Sequence, residues 1–430
     1  MTAPDPDPGS EWRGLYRAAE IPHTPLDEEQ RQRLSLPPTL LPTPDGLRQP
    51  PVFDPALKQF ANAYRAGEPV FEDAAARHAW HRARRTAIDL VLSGLAGGRW
   101  AGHLVLRGSV LLATWFGDAA RDPGDLDFLV TPVDWAMEGP ETAGLLDDLA
   151  RDAEAAARAH GGVTIDAAGR IVESIWTYER VPGRRMVLPW AAPGTPGGVV
   201  QLDIVFNEPL PVPAERTTLR PLGEGPGSAV LGVTPGLSLA WKLLWLVTDT
   251  YPQGKDLYDA VLLAEHTPPS YPLVRDAFLA AGEEALRPPG PHWVERLDVG
   301  DGWRHFAADH PELAARATDF PDRLLRVLGP LLAEAARPGE SEHDRWARWL
   351  APWVRAVRAR AEAEPASAVG WLSAESREGL AAATVIVRAI LGPGTVGVEE
   401  ALRAVLAGDE RWRWWREHPE ALPGVRWYFR

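Results

Sequence analysis

Residues 103–130 read HLVLRGSVLLATWFGDAARDPGDLDFLV. This stretch predicts a strand, a turn, a helix, a loop and a second strand, in that order. The short apolar run 103–107 is typical of a buried strand. Gly108 and Ser109 interrupt it and open the apolar segment 110–116, which is long enough for two helical turns. A strand that turns directly into a helix at a Gly-Ser pair places backbone N–H groups at the end of the strand, where an anion can approach.

Two aspartates, Asp125 and Asp127, lie at the second predicted strand, over residues 126–130. Residues two apart on a strand point to the same face, so these carboxylates project side by side, about 7 Å apart at the backbone. Such a pair can converge on magnesium, which is usually held by one or two carboxylates together with substrate phosphates. The Gly-Ser turn suits the phosphates, because glycine admits them to the backbone and the serine adds a hydroxyl donor. Asp-x-Asp alone is more typical of a strand edged with solvated acids, but with the Gly-Ser helix start fifteen residues ahead it indicates a site for metal-bound nucleotide phosphates.

A third acid, Asp203, interrupts the apolar predicted strand 198–206, which reads GVVQLDIVF. A carboxylate in a buried strand is unfavourable unless it is paired or bound to a metal. If this strand lies beside the Asp-x-Asp strand, Asp203 completes a triad with Asp125 and Asp127. The alternative is an acid on an edge strand that faces water.

The chain has 430 residues, too many for one ordinary core, which predicts two domains and an extension. Residues 1–70 are rich in proline and are expected to be extended or partly disordered, draped over the folded body. A domain with a sheet is expected over residues 71–215 and a helical domain over residues 230–430, separated by a crossing rich in proline and glycine over 208–236. The predicted fold class is α/β (α+β), a mixed sheet with flanking helices followed by an all-α C-terminal domain.

Composition excludes several classes of protein. The sequence has no cysteine, which excludes disulfides and thiolate metal ligands and fits a cytoplasmic protein. The most apolar segment, residues 236–247, is too short for a membrane span, and the acidic, Pro-rich N-terminus is not a signal peptide. The formal net charge of −14 disfavours non-specific nucleic-acid binding. Five arginines could still form a local basic surface: Arg82, Arg84, Arg85, Arg184 and Arg185.

Two predicted helices follow the crossing. Lys242 lies in the strongly apolar run 237–248, and Asp256 and Asp259 share one face of the helix 254–265. Taken alone, Lys242 is typical of a side chain that reaches water at a helix edge. The two aspartates alone are typical of a solvated helix start, where the helix dipole favours acids.

Together these features resemble the AbiEii/AbiGii-type nucleotidyltransferase toxins. The resemblance covers roughly residues 75–270. The residues that carry it are Gly108, Ser109, Asp125-Leu126-Asp127-Phe128, Asp203, Lys242 and Lys255-Asp256-Leu257-Tyr258-Asp259. It implies the minimal nucleotidyltransferase fold of the DNA polymerase β superfamily. Members are toxins of bacterial toxin–antitoxin and phage-abortive systems, and related toxins transfer nucleotides from an NTP to the acceptor end of tRNA.

The resemblance also implies a role for each residue. Gly108 and Ser109 would bind the triphosphate, Lys242 would contact the nucleotide phosphates, and Asp259 would be the family's later acidic position. The remaining acids would hold two Mg²⁺ ions: Asp125, Asp127 and Asp203. The implied partners are NTP as substrate, tRNA as acceptor and a cognate antitoxin protein. Two alternatives stay open, since fold does not fix function: a small-molecule acceptor, as in aminoglycoside-type nucleotidyltransferases, and a non-catalytic module that binds a partner protein.

Overall fold

The computed structural model describes residues 11–177, 181–282, 285–297, 299–311, 319–360 and 366–429. The chain divides into two compact units. The first consists of Met1–Glu208 and Pro213–Thr234, and the second of Pro209–Val212 and Pro235–Arg430. The first contains one large mixed sheet with flanking helices, and every regular element described in the second is a helix. The predicted fold class is therefore confirmed.

The strands of the first unit are β1 (Pro51–Phe53), β2 (Tyr64–Ala66), β3 (Leu104–Arg107), β4 (Leu126–Val130), β5 (Thr164–Ile165), β6 (Ile171–Thr177), β7 (Val181–Ala192), β8 (Thr195–Val205), β9 (Glu215–Leu219) and β10 (Ser228–Gly232). The large sheet has the order β5-β7-β8-β4-β3-β10-β9, with β6 paired to β7, and β1 and β2 form a separate two-stranded sheet. The α-helices of the first unit are α1 (Glu28–Arg33), α2 (Ala74–Gly97), α3 (Ser109–Phe116) and α4 (Pro140–His160). The central strand β4 is parallel to β8 and antiparallel to β3. The strands with the predicted acids, β4 and β8, are therefore neighbours.

The long helix α2 covers the central strands. It begins after Asp73, whose carboxylate accepts hydrogen bonds from the N–H groups of Ala75 and Ala76 and so satisfies two donors of the first turn. The helix packs against α4, β8 and β10. In the middle of the sheet, Leu104, Val105 and Leu106 of β3 are fully buried.

Two strands lie within residues 208–236, the crossing rich in proline and glycine. β10 pairs in parallel with β3 and in antiparallel with β9. The sequence pattern did not predict these two strands. Both strands have only five residues, are surrounded by proline and glycine, and β9 is a polar edge strand, so neither shows the apolar alternation on which the prediction depended.

Residues 11–70 form regular structure on the first unit. The strands β1 and β2 pair as a hairpin, with Phe53 opposite Tyr64. Five apolar side chains form a buried cluster in this segment: Trp12, Leu15, Ile21, Leu36 and Leu40. The prolines of this segment are therefore interspersed with enough apolar side chains to form a small core.

The second unit begins with α5 (Pro235–Thr248) and α6 (Gly254–His266). Its further helices are Tyr271–Ala280, Pro291–Arg296, Asp301–Asp309, Asp319–Ala335, Glu342–Trp349, Ala351–Arg360, Arg377–Leu391, Val398–Gly408, Arg413–Glu417 and Leu422–Arg426. The apolar helix α5 packs against α6 and against Tyr271–Ala280. Within the described ranges of the chain, no helix is both long and apolar enough to cross a membrane.

Candidate active site

The turn between β3 and α3 brings the backbone against Asp127. Gly108 has a φ of +83°, and a Cβ atom there would lie 2.6 Å from Asp127 Oδ2. Only glycine therefore allows both this backbone conformation and this close approach. Ser109, the first residue of α3, is 2% exposed, and its buried hydroxyl has no hydrogen-bond partner among the described residues. An unsatisfied buried hydroxyl is unfavourable by about 1–3 kcal/mol, which suits an atom that hydrogen-bonds to a ligand.

Asp127 on β4 and Asp203 on β8 are register partners in the parallel strand pair. Neighbouring strands lie about 4.8 Å apart and partner residues point to the same face. Burial raises the pKa of Asp203 above its ordinary value, and Asp125 is close enough to raise it further. The structure thus brings Asp125, Asp127 and Asp203 together beside the turn at Gly108. Their proposed role as metal ligands stays a prediction.

Arg185 on β7 binds Asp203 from the side opposite Asp127. Its Nε donates to Asp203 Oδ1 and its Nη2 donates to Asp203 Oδ2, both at 2.8 Å. Its Nη1 donates to Asp54 Oδ2, also at 2.8 Å. Burial alone would lower the pKa of Arg185, but the two carboxylates hold it well above its ordinary value. This guanidinium is therefore a permanent positive charge inside the site.

Arg185 belongs to a row of charged side chains that crosses five neighbouring strands. The row runs from β6 to β3 in the order Glu173, Arg185, Asp203, Asp127 and Arg107, and each residue is the register partner of the next. Cross-strand partners share a face, so the row places three acids and two arginines along one line. Sequence reasoning assigned only the two aspartates of this row to the active site, and it placed Arg185 on a basic surface. The signal it missed was a charged residue inside an apolar strand, as in the runs ending at Arg107 and beginning at Arg185.

Glu173 is the most buried acid of the row. It is 4% exposed, accepts a hydrogen bond from the Thr39 hydroxyl, and its Oε2 is buried with no partner in the described structure. Burial raises the pKa of Glu173 to about 8. This value includes the opposing effect of Arg185 and the smaller contributions of Asp203 and Asp54, which add to the rise. Glu173 is therefore largely protonated at neutral pH.

We expect Glu173→Gln to stabilise the protein at neutral pH. The folded chain retains this proton up to pH of about 8, whereas the unfolded chain releases it near 4.5. The wild-type free energy of unfolding therefore falls as the pH rises between these values, by about 1.4 kcal/mol per unit. A neutral glutamine avoids this loss, so urea unfolding should show a gain of about 3 kcal/mol at pH 7 and almost none at pH 4.5. Glu215→Gln on the exposed edge strand is the control, and an equal gain at both pH values would contradict the prediction.

The carboxylates of the site fit a magnesium ion whose remaining ligands come from the substrate. In the described part of the chain, no three histidine, aspartate or glutamate side chains group closely enough to hold a metal ion by themselves. Magnesium does not require such a cage, since one or two carboxylates and the phosphates of a nucleotide commonly hold it. Asp127 and Asp203 provide two adjacent carboxylates, and the unpartnered hydroxyl of Ser109 and the close turn at Gly108 lie next to them. These residues fit the predicted site for metal-bound phosphates.

The other predicted site residues lie in the second unit, where Lys242 is buried against two acids. Its Nζ is 2.7 Å from Asp256 Oδ1 and 3.0 Å from Asp259 Oδ2. The three residues are 5%, 2% and 1% exposed, so the alternatives of a lysine reaching water and of a solvated helix start are wrong. α5 and α6 pack closely enough to exclude water from all three side chains. The predicted contacts of Lys242 and Asp259 with the nucleotide stay predictions.

Two of the five arginines expected to form a basic surface are buried instead. Arg84 is 9% exposed, and its Nη1 donates to both carboxylate oxygens of Glu68 at 2.9 Å. Arg85 donates to Asp122 at 2.8 Å. For Arg84 and Arg185 the prediction of a surface role is wrong, because each is buried against carboxylates of the chain itself.

Comparisons with known proteins identify the family of this chain. The family model described as nucleotidyl transferase AbiEii toxin, type IV TA system, matches residues 90–356. Among solved structures, the nucleotidyltransferase toxin MenT4 from Mycobacterium tuberculosis H37Rv is similar over 60% of this chain and 97% of that chain, with 20% sequence identity and a TM-score of 0.34. No curated protein sequence matches the chain. The family match covers more than half of the 430 residues and includes every predicted site residue from Gly108 to Asp259. The chain therefore belongs to the AbiEii family of nucleotidyl transferase toxins of type IV toxin–antitoxin systems, and it is a nucleotidyltransferase.

Proposed function

We propose that this toxin is a Mg²⁺-dependent enzyme that transfers NMP from an NTP to the acceptor end of tRNA. The observation that supports this most is the register of Asp127 with Asp203 beside the turn at Gly108. Asp125, Asp127 and Asp203 would hold two Mg²⁺ ions. Bound magnesium would lower the pKa of the acceptor hydroxyl and offset the charge on the leaving pyrophosphate.

The chain's own residues would orient the reactants. Gly108 and Ser109 would bind the triphosphate, with the Ser109 hydroxyl and the first N–H groups of α3 as donors. The acceptor oxygen forms a bond to the α-phosphorus, the bond from the α-phosphorus to the pyrophosphate oxygen breaks, and Asp203 accepts the hydroxyl proton. Lys242 would offset phosphate charge, with Asp259 as its acidic neighbour.

The proposed acceptor rests on the resemblance to toxins that modify tRNA. We infer that the protein acts in the cytoplasm, where NTP and tRNA occur, and that a cognate antitoxin counteracts it. A small-molecule acceptor is a second candidate, favoured by one observation: three of the five arginines expected to contact a polyanion are bound to carboxylates of the chain, in a protein of net charge −14. Membership of a nucleotidyltransferase family argues against the non-catalytic module.

Labelling the α-phosphate of each NTP tests the acceptor. We expect label to enter total tRNA in the presence of Mg²⁺ and to be lost after periodate oxidation of the tRNA, which destroys the hydroxyls of its terminal ribose. Asp127→Asn serves as the inactive control. Label that enters an aminoglycoside-like acceptor and no RNA, with all four NTPs, would overturn the tRNA proposal in favour of the small-molecule acceptor.

A further inference from the structure

Asp54 belongs to the N-terminal segment, yet its carboxylate reaches the acids of the sheet. It directly follows β1, and its backbone N–H donates to the carbonyl of Ala63 at 2.8 Å. Its Oδ1 accepts from the N–H of Ala56 at 3.0 Å. These bonds fix the start of the hairpin loop and direct Oδ2 towards Arg185, 2.8 Å away.

Packing independent of this ion pair holds the hairpin loop on the sheet. Leu57 and Ala63 form a buried cluster with Ile175 of β6. The Gln59 side chain donates to the carbonyl of Ser174 at 2.6 Å. The hairpin loop is therefore held on the sheet by contacts other than the charge of Asp54.

The contacts of Asp203 leave room for one further ligand. A carboxylate has about four lone-pair positions. Arg185 Nε uses one position on Oδ1, and Arg185 Nη2 and Gln201 Nε2 use both on Oδ2, at 2.8, 2.8 and 3.2 Å. Among the residues that the structure describes, none occupies the remaining position, which is on Oδ1. Arg185 therefore fixes the orientation of the Asp203 carboxylate but does not occupy every lone-pair position. Its positive charge repels a cation bound at the remaining position.

We propose that Arg185 is a positioning residue for Asp203, and that Asp54 weakens the repulsion between Arg185 and a metal ion held by Asp203. Through Asp54 the N-terminal segment sets the affinity of the site for a divalent cation. The inference rests on the proposed function, because it takes Asp203 as a metal ligand. Its physical basis is that one guanidinium, 3% exposed, is bound by two buried carboxylates, and that charges interact strongly away from water.

Mn²⁺ binding to the full chain without nucleotide, measured from the electron paramagnetic resonance signal of free Mn²⁺, tests the proposal. Asp54→Asn removes the negative charge and keeps one of the two oxygens, which can accept either from the N–H of Ala56 or from Arg185 Nη1. The full charge of Arg185 then acts on the site, and we expect Mn²⁺ affinity to fall by about 3- to 10-fold. Asp27→Asn is the matched control, because Asp27, like Asp54, accepts a hydrogen bond from a backbone N–H of the N-terminal segment. Among the described contacts, Asp27 has none with Arg185, so the Mn²⁺ affinity of Asp27→Asn should equal that of the wild type.

A second variant separates this charge effect from a loss of structure. Asp54→Asn combined with Arg185→Gln removes both charges, although it also loses the two hydrogen bonds from Arg185 that orient Asp203. We expect this double variant to bind Mn²⁺ more tightly than Asp54→Asn. If Asp54 acted only by holding the segment in place, the double variant would bind Mn²⁺ no more tightly than Asp54→Asn. Unchanged affinity in Asp54→Asn overturns the proposal whether or not the double variant folds. Asp127→Asn tests the underlying site: wild-type Mn²⁺ affinity in that variant would overturn the proposed metal site itself.

Discussion

Replacing Asp127 by asparagine is expected to abolish nucleotidyl transfer while leaving the fold intact. Asp127 is the register partner of Asp203 and lies against the turn at Gly108, so the variant removes a charge from the centre of the proposed metal site. Loss of one preorganised electrostatic contact lowers turnover by about 10³-fold at the upper end of the usual range. Folding should be retained, because Asn fits the same space and the substitution relieves repulsion between adjacent acids. Transfer of labelled NMP and the thermal unfolding temperature measure the two effects.

The matched control for this variant is Asp118→Asn. Asp118 is an exposed acid on the loop that joins α3 to β4, and its replacement changes the net charge by the same amount. Its activity should equal that of wild type. Expression of the wild-type chain and of Asp118→Asn should arrest growth, whereas Asp127→Asn should not. Full activity in Asp127→Asn would show that the carboxylates of this row are not the metal ligands.

The strand, helix and second strand of residues 103–130 could be predicted because their sequence signals are local. The alternation around Asp127 and the Gly-Ser break at Ser109 define a strand, a helix and a second strand within 28 residues. The adjacency of the strand with Asp203 could be stated only as a condition, since a periodic pattern shows which face a side chain occupies and not which strand lies beside it. The register of β4 with β8 supplies that information.

The partners of Arg185 could not be predicted, since they depend on distant parts of the chain. Asp54 lies 131 residues away in sequence, within a segment whose prolines suggest little structure. Composition indicates whether a segment can bury apolar surface, but not which charged residue it will contact. The same limit applies to Arg84, whose position in a basic run suggested a surface role although Glu68 binds it.

Loss of the Lys242 ammonium is expected to destabilise the protein strongly. Asp256 and Asp259 are 2% and 1% exposed, and both lie within 3.0 Å of Lys242 Nζ. Lys242→Met would leave two buried carboxylates without this cation, and breaking a buried ion pair from one side lowers the free energy of unfolding by about 3–5 kcal/mol. Urea unfolding of the full chain measures the effect. Lys255→Met, at a half-buried position in the first turn of α6, is the control and should change stability little.

Removing all three charges together should separate the structural role of Lys242 from a role in binding nucleotide. Lys242→Met combined with Asp256→Asn and Asp259→Asn leaves no unpaired charge, and replacing a whole buried ion cluster is often neutral or stabilising. We therefore expect this variant to regain most of the stability lost in Lys242→Met. If Lys242 and Asp259 contact the nucleotide, NTP with Mg²⁺ will raise the unfolding temperature of the wild type but not of the stable triple variant, because only a ligand that binds the folded state stabilises it. An equal rise in both proteins would show that the cluster only joins α5 to α6, and that the phosphate contacts belong to other residues.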